Sequence, residues 1–295
     1  MNRLLAVALL ALASAPALAQ PVSTAPAADL ATSCQGRDGW TDAAPPERLF
    51  GNTWYVGTCG ITVLLITSDH GHVMIDGGPA AAAPLVAANI EKLGFQLRDV
   101  RWIVSSHEHD DHVGALAELK RLTGARLAAL PTAAPLLASG EVSRDDPQQG
   151  MSHPYPPVAP DRVLQDGHDL RVGPLQLTGY ATPAHSPGSA SWTWQACEQV
   201  RCRTITYADS ATTISAVAYR FSDHSERVAG VRAGFARMRE MPCEVLVTPH
   251  PSASGLFARM AGRTPLADPV ACERYVAAAE QRFADRLTQE EASAK

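Results

Sequence analysis

"SSHEHDDHVG", residues 105–114, is the stretch from which the fold and the chemistry of this chain can be read. Between His107 and His112 it sets three histidines, two aspartates and one glutamate in consecutive positions. A solvated loop usually mixes its acids with Lys or Arg, whereas this run holds no cation and only side chains able to ligate a metal. It follows 100–104 (VRWIV), a short apolar run that reads as a strand, so it lies where a strand gives way to a loop. Residues two apart in extended chain face the same side, which directs His107 and His109 together. Asp111 and His112 fall at the entry to a helix expected over 113–123 and aim a second pair at a neighbouring spot. Glu108 and Asp110 lie between them and are expected to point away from both.

Two further histidines stand in related settings, His185 in "GYATPAHSPGS" (179–189) and His250 in "VLVTPHPSAS" (245–254). In both, Thr-Pro closes a strand-like run, and proline stops the ladder, so the imidazole sits at a strand end rather than inside a sheet. Three neutral nitrogens from His107, His109 and His185 suit one zinc whose fourth position stays open to water, and Asp111, His112 and His250 suit a second. Two such ions can share one hydroxide, lower its pKa toward neutrality and direct it at a carbonyl. Asp111, His185 and His250 are therefore expected to be catalytic through the ions they hold. His70, His72, His168 and His224 stand in turns or polar stretches without a partner spaced for ligation. His153 has none either, but it lies in a long loop where a substrate could touch it.

Outward from the site, "ITVLLITSDHGHVMI" (61–75) reads as a hairpin turning at Ser68–Gly71, and Asp76-Gly77-Gly78-Pro79 breaks its second strand. Helix is expected over 80–93, with Pro84 in the first turn and Gly94 after it. A strand over 126–130 follows the 113–123 helix, which Gly124 stops. The segment 131–161, rich in Pro, Ser, Asp and Gln, reads as a long loop over the site. Several strand-like runs occupy 170–207, then helix 227–241, strand 245–248 and a terminal helix from Pro269 to about 287. Strands, helices, strands and helices in two similar halves suggest an α/β (α+β) chain of two sheets packed face to face with helices outside.

The chain opens with MNRLLAVALLALASAPALAQ, whose one early cation, short apolar run and Ala17-Leu18-Ala19 triplet read as a secretory signal peptide over 1–19, cleaved before Gln20. That run is short for the roughly 20 residues of a membrane anchor, and none is expected. An Ala/Pro/Ser/Thr-rich leader follows over 20–31, and 32–295 suits a single domain. With 46% hydrophobic residues it can bury a substantial core, while a net charge of −5 without a basic cluster argues against nucleic acid as a partner. The expected partner is a small molecule, and the expected state a monomer. Six cysteines in a chain bound for an oxidising compartment suggest disulfides. Sequence allows 15 pairings; the shortest loops are closed by Cys34–Cys59, Cys197–Cys202 and Cys243–Cys272.

H-x-H-x-D-H with two distant strand-end histidines resembles the metallo-β-lactamase superfamily, and the likeness runs over nearly the whole mature chain. It implies a four-layer αββα sandwich and a structural role for Asp76, the acid that closes the first hairpin. Within the superfamily the details resemble subclass B3, which has His-His-His at one zinc and Asp-His-His at the other. "YADSATTIS" (207–215) is similar to the segment in which serine replaces the cysteine ligand of other subclasses, and Ser210 falls on that serine. The late pair Cys243 and Cys272 also resembles a disulfide of this group. The resemblance implies two zinc ions per chain and hydrolysis of penicillins, cephalosporins and carbapenems in the periplasm, giving antibiotic resistance. Ser210 and Thr212 would hold the substrate carboxylate, and Gln148 or Gln149 would meet its side chain. The chain departs from the family mainly in "DDPQQGMSHPYPP" (145–157), which puts substrate preference in doubt more than reaction type. Exported lactonases and thioester hydrolases share H-x-H-x-D-H and are the alternative. They add a metal-bridging aspartate for which Asp209 could be mistaken, although Asp209 and Ser210 should point opposite ways and only one can face the metals.

Overall fold

The structure is a computed structural model describing residues 30–293; the expected signal peptide (1–19) and most of the expected leader lie outside them. The packed chain begins no later than Leu30, which is fully buried in a short helix, α1 (Leu30–Ser33). Seven strands form the first sheet in sequence order: β1 (Glu47–Phe50), β2 (Thr53–Tyr55), β3 (Leu64–Ile66), β4 (His72–Ile75), β5 (Val100–Val104), β6 (Arg126–Ala129) and β7 (Arg162–Val163). The first four pair antiparallel, β1–β2 and β3–β4 through short turns and β2–β3 through the longer segment 56–63, whereas β4, β5, β6 and β7 are parallel because helical crossovers separate most of them. The second sheet has the order β12 (Val245–Val247), β11 (Arg201–Tyr207), β10 (Ala190–Glu198), β9 (Leu175–Ala181) and β8 (Asp169–Val172).

The sheets meet through one apolar layer that includes Tyr55, Ile75, Trp102, Trp192, Trp194, Ile205 and Tyr207. Helices α2 (Ala83–Lys92), α3 (Asp110–Val113), α4 (Leu116–Thr123) and α5 (Ala133–Ser139) belong to the first half, and α6 (Ser225–Glu240), α7 (Leu256–Met260) and α8 (Ala271–Ser293) to the second. Val86, Ile90, Leu116 and Leu119 cover the outer face of the first sheet, while Phe235, Met238, Val276 and Phe283 cover that of the second. This is the expected αββα sandwich. Both faces of each sheet are covered, which is why β3 and β4 are buried at every position instead of alternating.

Three local expectations need correction. The helix expected over 113–123 is two pieces, broken at Gly114-Ala115. A Cβ on Gly114 would stand 2.7 Å from Ala80 N, and Ala115 N donates to Gly78 O, so contact with the Gly78–Ala80 turn bends the chain there. The expected loop over 131–161 contains α5 before its irregular part, because Ala and Leu at 133–137 bury Ala133 and Leu137 against the first sheet. The terminal helix runs on to Ser293. All three short-loop cysteine pairings are formed, with Cys197 and Cys202 opposite each other in the β10–β11 ladder.

Topology sets the site. Strands β9 and β11 both run antiparallel to β10, and β12 runs parallel to β11, so β9, β11 and β12 end at one edge of the second sheet. The histidine-bearing segments after β5, β9 and β12 meet there, together with the Asp209 segment after β11. Strand ends that open into loops are where ligand sites collect.

Candidate metal centre

The turn after β4 supports the first loop. Asp76 has φ 63°, a left-handed conformation that Asp tolerates better than most residues. It accepts hydrogen bonds from Ser106 N (2.6 Å), Ser106 Oγ (2.7 Å) and the Tyr207 hydroxyl (2.7 Å). These bonds anchor the residue just before His107 and fit the structural role expected of Asp76.

Beyond Ser106, His107, His109 and His185 bring ligand atoms within 4.8 Å of one another, with ring centroids 4.7, 4.8 and 5.0 Å apart. Beside them, His112 Nε2 lies 3.1 Å from Asp111 Oδ2, and His250 Nε2 lies 3.4 Å from both. Ligands about 2.0–2.1 Å from a tetrahedral zinc are roughly 3.3 Å from each other, so this second trio already has the spacing of a coordination sphere. His107, Asp111 and His112 also fall within 4.8 Å, which makes the two sets neighbours.

The residues fit a divalent cation by two observations. His107 Nε2 is buried and has no hydrogen-bond partner among the described residues, a state that costs about 1–3 kcal/mol unless something else satisfies it. Four of the five rings are also hydrogen-bonded through the nitrogen that points away from the cluster, and the fifth, His112, lies beside the Asp76 carboxylate. His107 Nδ1 contacts Asp209 Oδ1 at 2.8 Å, and His109 Nε2 contacts Asp146 Oδ2 at 2.7 Å. His185 Nδ1 meets Thr212 O at 2.8 Å, His250 Nδ1 meets Gly60 O at 3.1 Å, and His112 Nδ1 lies 3.3 Å from Asp76 Oδ2. Outer partners of this kind fix tautomer and ring direction in metal sites.

The charges agree. Burial and the neighbouring imidazoles hold His107 and His185 well below the usual histidine range, so both are neutral donors. Burial alone would also lower His112, but the Asp111 and Asp76 carboxylates outweigh it and push the ring up to about 10. Burial would raise Asp111, yet His112, with His107 and His250 beside it, holds the carboxyl far below its ordinary value. Burial pushes Asp209 up to about 7. A cation among these groups would displace the His112 proton and favour the charged form of Asp209.

Known proteins share this fold. The metallo-β-lactamase superfamily model matches residues 56–198. The metallo-β-lactamase MIM-1 from Novosphingobium pentaromativorans is 57% identical, with a TM-score of 0.89 over 90% of this chain and 99% of that one. The chain belongs to the metallo-β-lactamase superfamily. MEM-A1, a subclass B3 metallo-β-lactamase from a soil metagenome library, is 38% identical with a TM-score of 0.83, over 86% of this chain and all of its own. A hydroxyacylglutathione hydrolase of Rhodopseudomonas palustris is 31% identical over 129 residues, 41% of each chain. This chain spans less than half the length of the curated relatives it matches. Superfamily membership and these neighbours make the protein a hydrolase with a divalent-metal centre.

For this superfamily member, the structure brings all six expected ligand residues together. Of the three expected substrate contacts, Gln148 enters the site from the long loop, its Nε2 3.1 Å from His185 Nε2. Ser210 is buried beside Asp209 at the end of β11, and the Thr212 hydroxyl lies 3.0 Å from His185 Nδ1. Asp209 Oδ1 bonds the outer Nδ1 of His107. Asp146 was missed: it lies in a segment whose composition announces only a loop, and nothing in its spacing pairs it with His109. Glu108 turns from the donor sets, but into protein, where it is 3% exposed and accepts from Ser186 Oγ (2.7 Å) and Gly188 N (3.0 Å). Burial raises its carboxyl above the usual range.

Proposed function

We propose that this protein is a periplasmic, zinc-dependent hydrolase of the subclass B3 type that opens β-lactam rings and thereby confers antibiotic resistance. It would be exported through residues 1–19 and act as a monomer with two zinc ions per chain. Donor chemistry carries the proposal: five imidazoles and one carboxylate, without cysteine, in two adjoining sets of three. Structural zinc sites are generally closed by four protein ligands, often cysteines, whereas three-ligand sets leave a position for water and substrate.

His107, His109 and His185 would hold one ion, and Asp111, His112 and His250 the other. Bound ions would supply an acidified water and a Lewis acid for the scissile carbonyl. The chain's own groups do the positioning. Asp209, Asp146 and the Thr212 carbonyl keep the first three rings aimed, and Asp76 and Gly60 O do so for His112 and His250. Asp111 is the sole carboxylate among the six donors, so the loaded centre stays cationic and draws in a substrate carboxylate. Ser210 and Thr212 would hold that group, the Thr212 hydroxyl turning from His185 while its carbonyl keeps the ring. Gln148 would meet the substrate on the opposite side, from the long loop.

A second reading, an exported lactonase or thioester hydrolase, is favoured by the likeness to hydroxyacylglutathione hydrolases. The position of Asp209, bonded to the outer nitrogen of His107, weighs against it acting as a metal-bridging acid. Assaying the zinc-loaded protein on a penicillin, a cephalosporin, a carbapenem, a thioester and a homoserine lactone separates the two. Turnover of the β-lactams is expected; turnover of the thioester or lactone alone would replace this reading with the second.

A further inference from the structure

Glu108 is the spacer between His107 and His109, a position where a small or solvated side chain would serve. Here it carries a buried carboxylate. Burying a carboxylate is costly unless hydrogen bonds compensate, and Glu108 has two, both from the loop that follows His185. Its Oε2 accepts from the Ser186 hydroxyl, one residue after that ligand, and its Oε1 accepts from Gly188 N. Gly188 is shaped for the contact: a Cβ there would stand 2.5 Å from Glu108 Oε2 and 2.9 Å from its Cδ. Ser189 Oγ completes the turn by accepting from Ser186 N at 3.0 Å.

We propose that Glu108 is a positioning residue that ties the His185 loop to the His107/His109 loop and so sets the metal affinity of that donor set. This rests on the metal reading given above. The set is assembled from two sheets: His107 and His109 follow β5 of the first, and His185 follows β9 of the second. Its three donors are therefore only as well placed as the link between those loops. Apart from Glu108, the backbone bond from Ala190 N to Ser106 O joins the same two segments. The set formed by Asp111, His112 and His250 also spans both sheets, but Glu108 makes no hydrogen bond to the His250 segment. The tie acts on one set and leaves the other.

The test reads metal affinity, not turnover. A His250→Ala background isolates the first set and a His185→Ala background the second. In each, Zn²⁺ affinity is measured by chelator competition, and Co²⁺ absorption reports coordination. Glu108→Ala is expected to weaken the first set by about tenfold, the lower end for an outer-sphere group, since it acts through the loop and not on a ring. The second set should change less than about threefold, far below that outer-sphere effect. Glu108→Gln should restore most of the affinity, because its amide oxygen can accept from Gly188 N while its NH₂ donates to Ser186 Oγ. Ser186→Ala should weaken the same set, and adding it to Glu108→Ala should do little more. Equal loss at both sets, with a lower melting temperature of the metal-free protein, would show a fold-wide role and overturn the tie. Unchanged affinity at the first set would overturn it too. Failure of the unsubstituted protein to take up Zn²⁺ or Co²⁺ would instead remove the metal reading, and the tie with it.

Discussion

Asp146 offers the sharpest perturbation of the centre from outside the six donors. Its Oδ2 lies 2.7 Å from His109 Nε2 and its Oδ1 accepts from Gln148 N at 2.7 Å, so one carboxylate fixes a ligand ring and a loop residue together. Truncation to Ala leaves both donors without that acceptor, at about 1–3 kcal/mol each if they stay buried. The irregular segment 141–161 can relax and admit water, so the loss should be smaller than that sum. Outer partners of metal-bound histidines typically contribute 10–100-fold in affinity, or about 1.4–2.8 kcal/mol. Asp146→Ala should therefore weaken zinc at the set of His107, His109 and His185 by roughly that factor. KM for a β-lactam should also rise as Gln148 loses its anchor. Asp146→Asn keeps an acceptor oxygen for His109 but not the charge and should fall between. Chelator competition on Asp146→Ala, Asp146→Asn and the unsubstituted protein measures the effect. Equal zinc affinity in all three would refute the idea that this loop carboxylate orients the His109 ring.

Asp111→Ala removes the only anionic donor and should lower turnover by about 10²-fold or more, comparable to a lost oxyanion donor, while metal analysis still finds the first set filled. In Gly234→Ala, the new Cβ would meet Ala184 N at 2.6 Å, just before His185. Overpacking of about 1–3 kcal/mol, offset by up to about 1 kcal/mol of helix propensity, should lower the melting temperature seen by circular dichroism. Burial lowers the His72 pKa from its ordinary value, so the folded state takes up this ring's proton less readily than the unfolded chain. The unfolded chain then binds the extra proton first, and the stability present above pH 6.5 is lost as pH falls below it. Urea unfolding at several pH values should show the advantage of the unsubstituted protein over His72→Gln shrinking from pH 7.5 to pH 5; parallel curves would contradict it.

What could be read from sequence was what local chemistry dictates. HEHDDH has no cation and sits after an apolar strand, and Thr-Pro marks the two other strand ends, so the six expected donor residues and the layered architecture could be named from nearby residues. The outer partners did not follow, because each arises from packing between distant segments. Asp146 meets His109 across 37 positions, and Asp209 meets His107 across 102. Glu108 is the instructive case: alternation turned it from the donors, but only the sheet-to-sheet packing shows that it turns into the His185 loop. The break at Gly114 was hidden for the same reason, since the Gly78–Ala80 turn that causes it is far away in sequence.

One titration tests most directly whether this is a two-zinc β-lactam hydrolase. Purified protein is stripped by a chelator, and hydrolysis of a penicillin or carbapenem is followed as zinc is returned in known equivalents. Activity should fall to background on stripping and recover with added zinc up to two equivalents per chain, with no acyl adduct visible by mass spectrometry during turnover. Full activity in metal-free protein, or a covalent acyl-enzyme on serine, would contradict that reading.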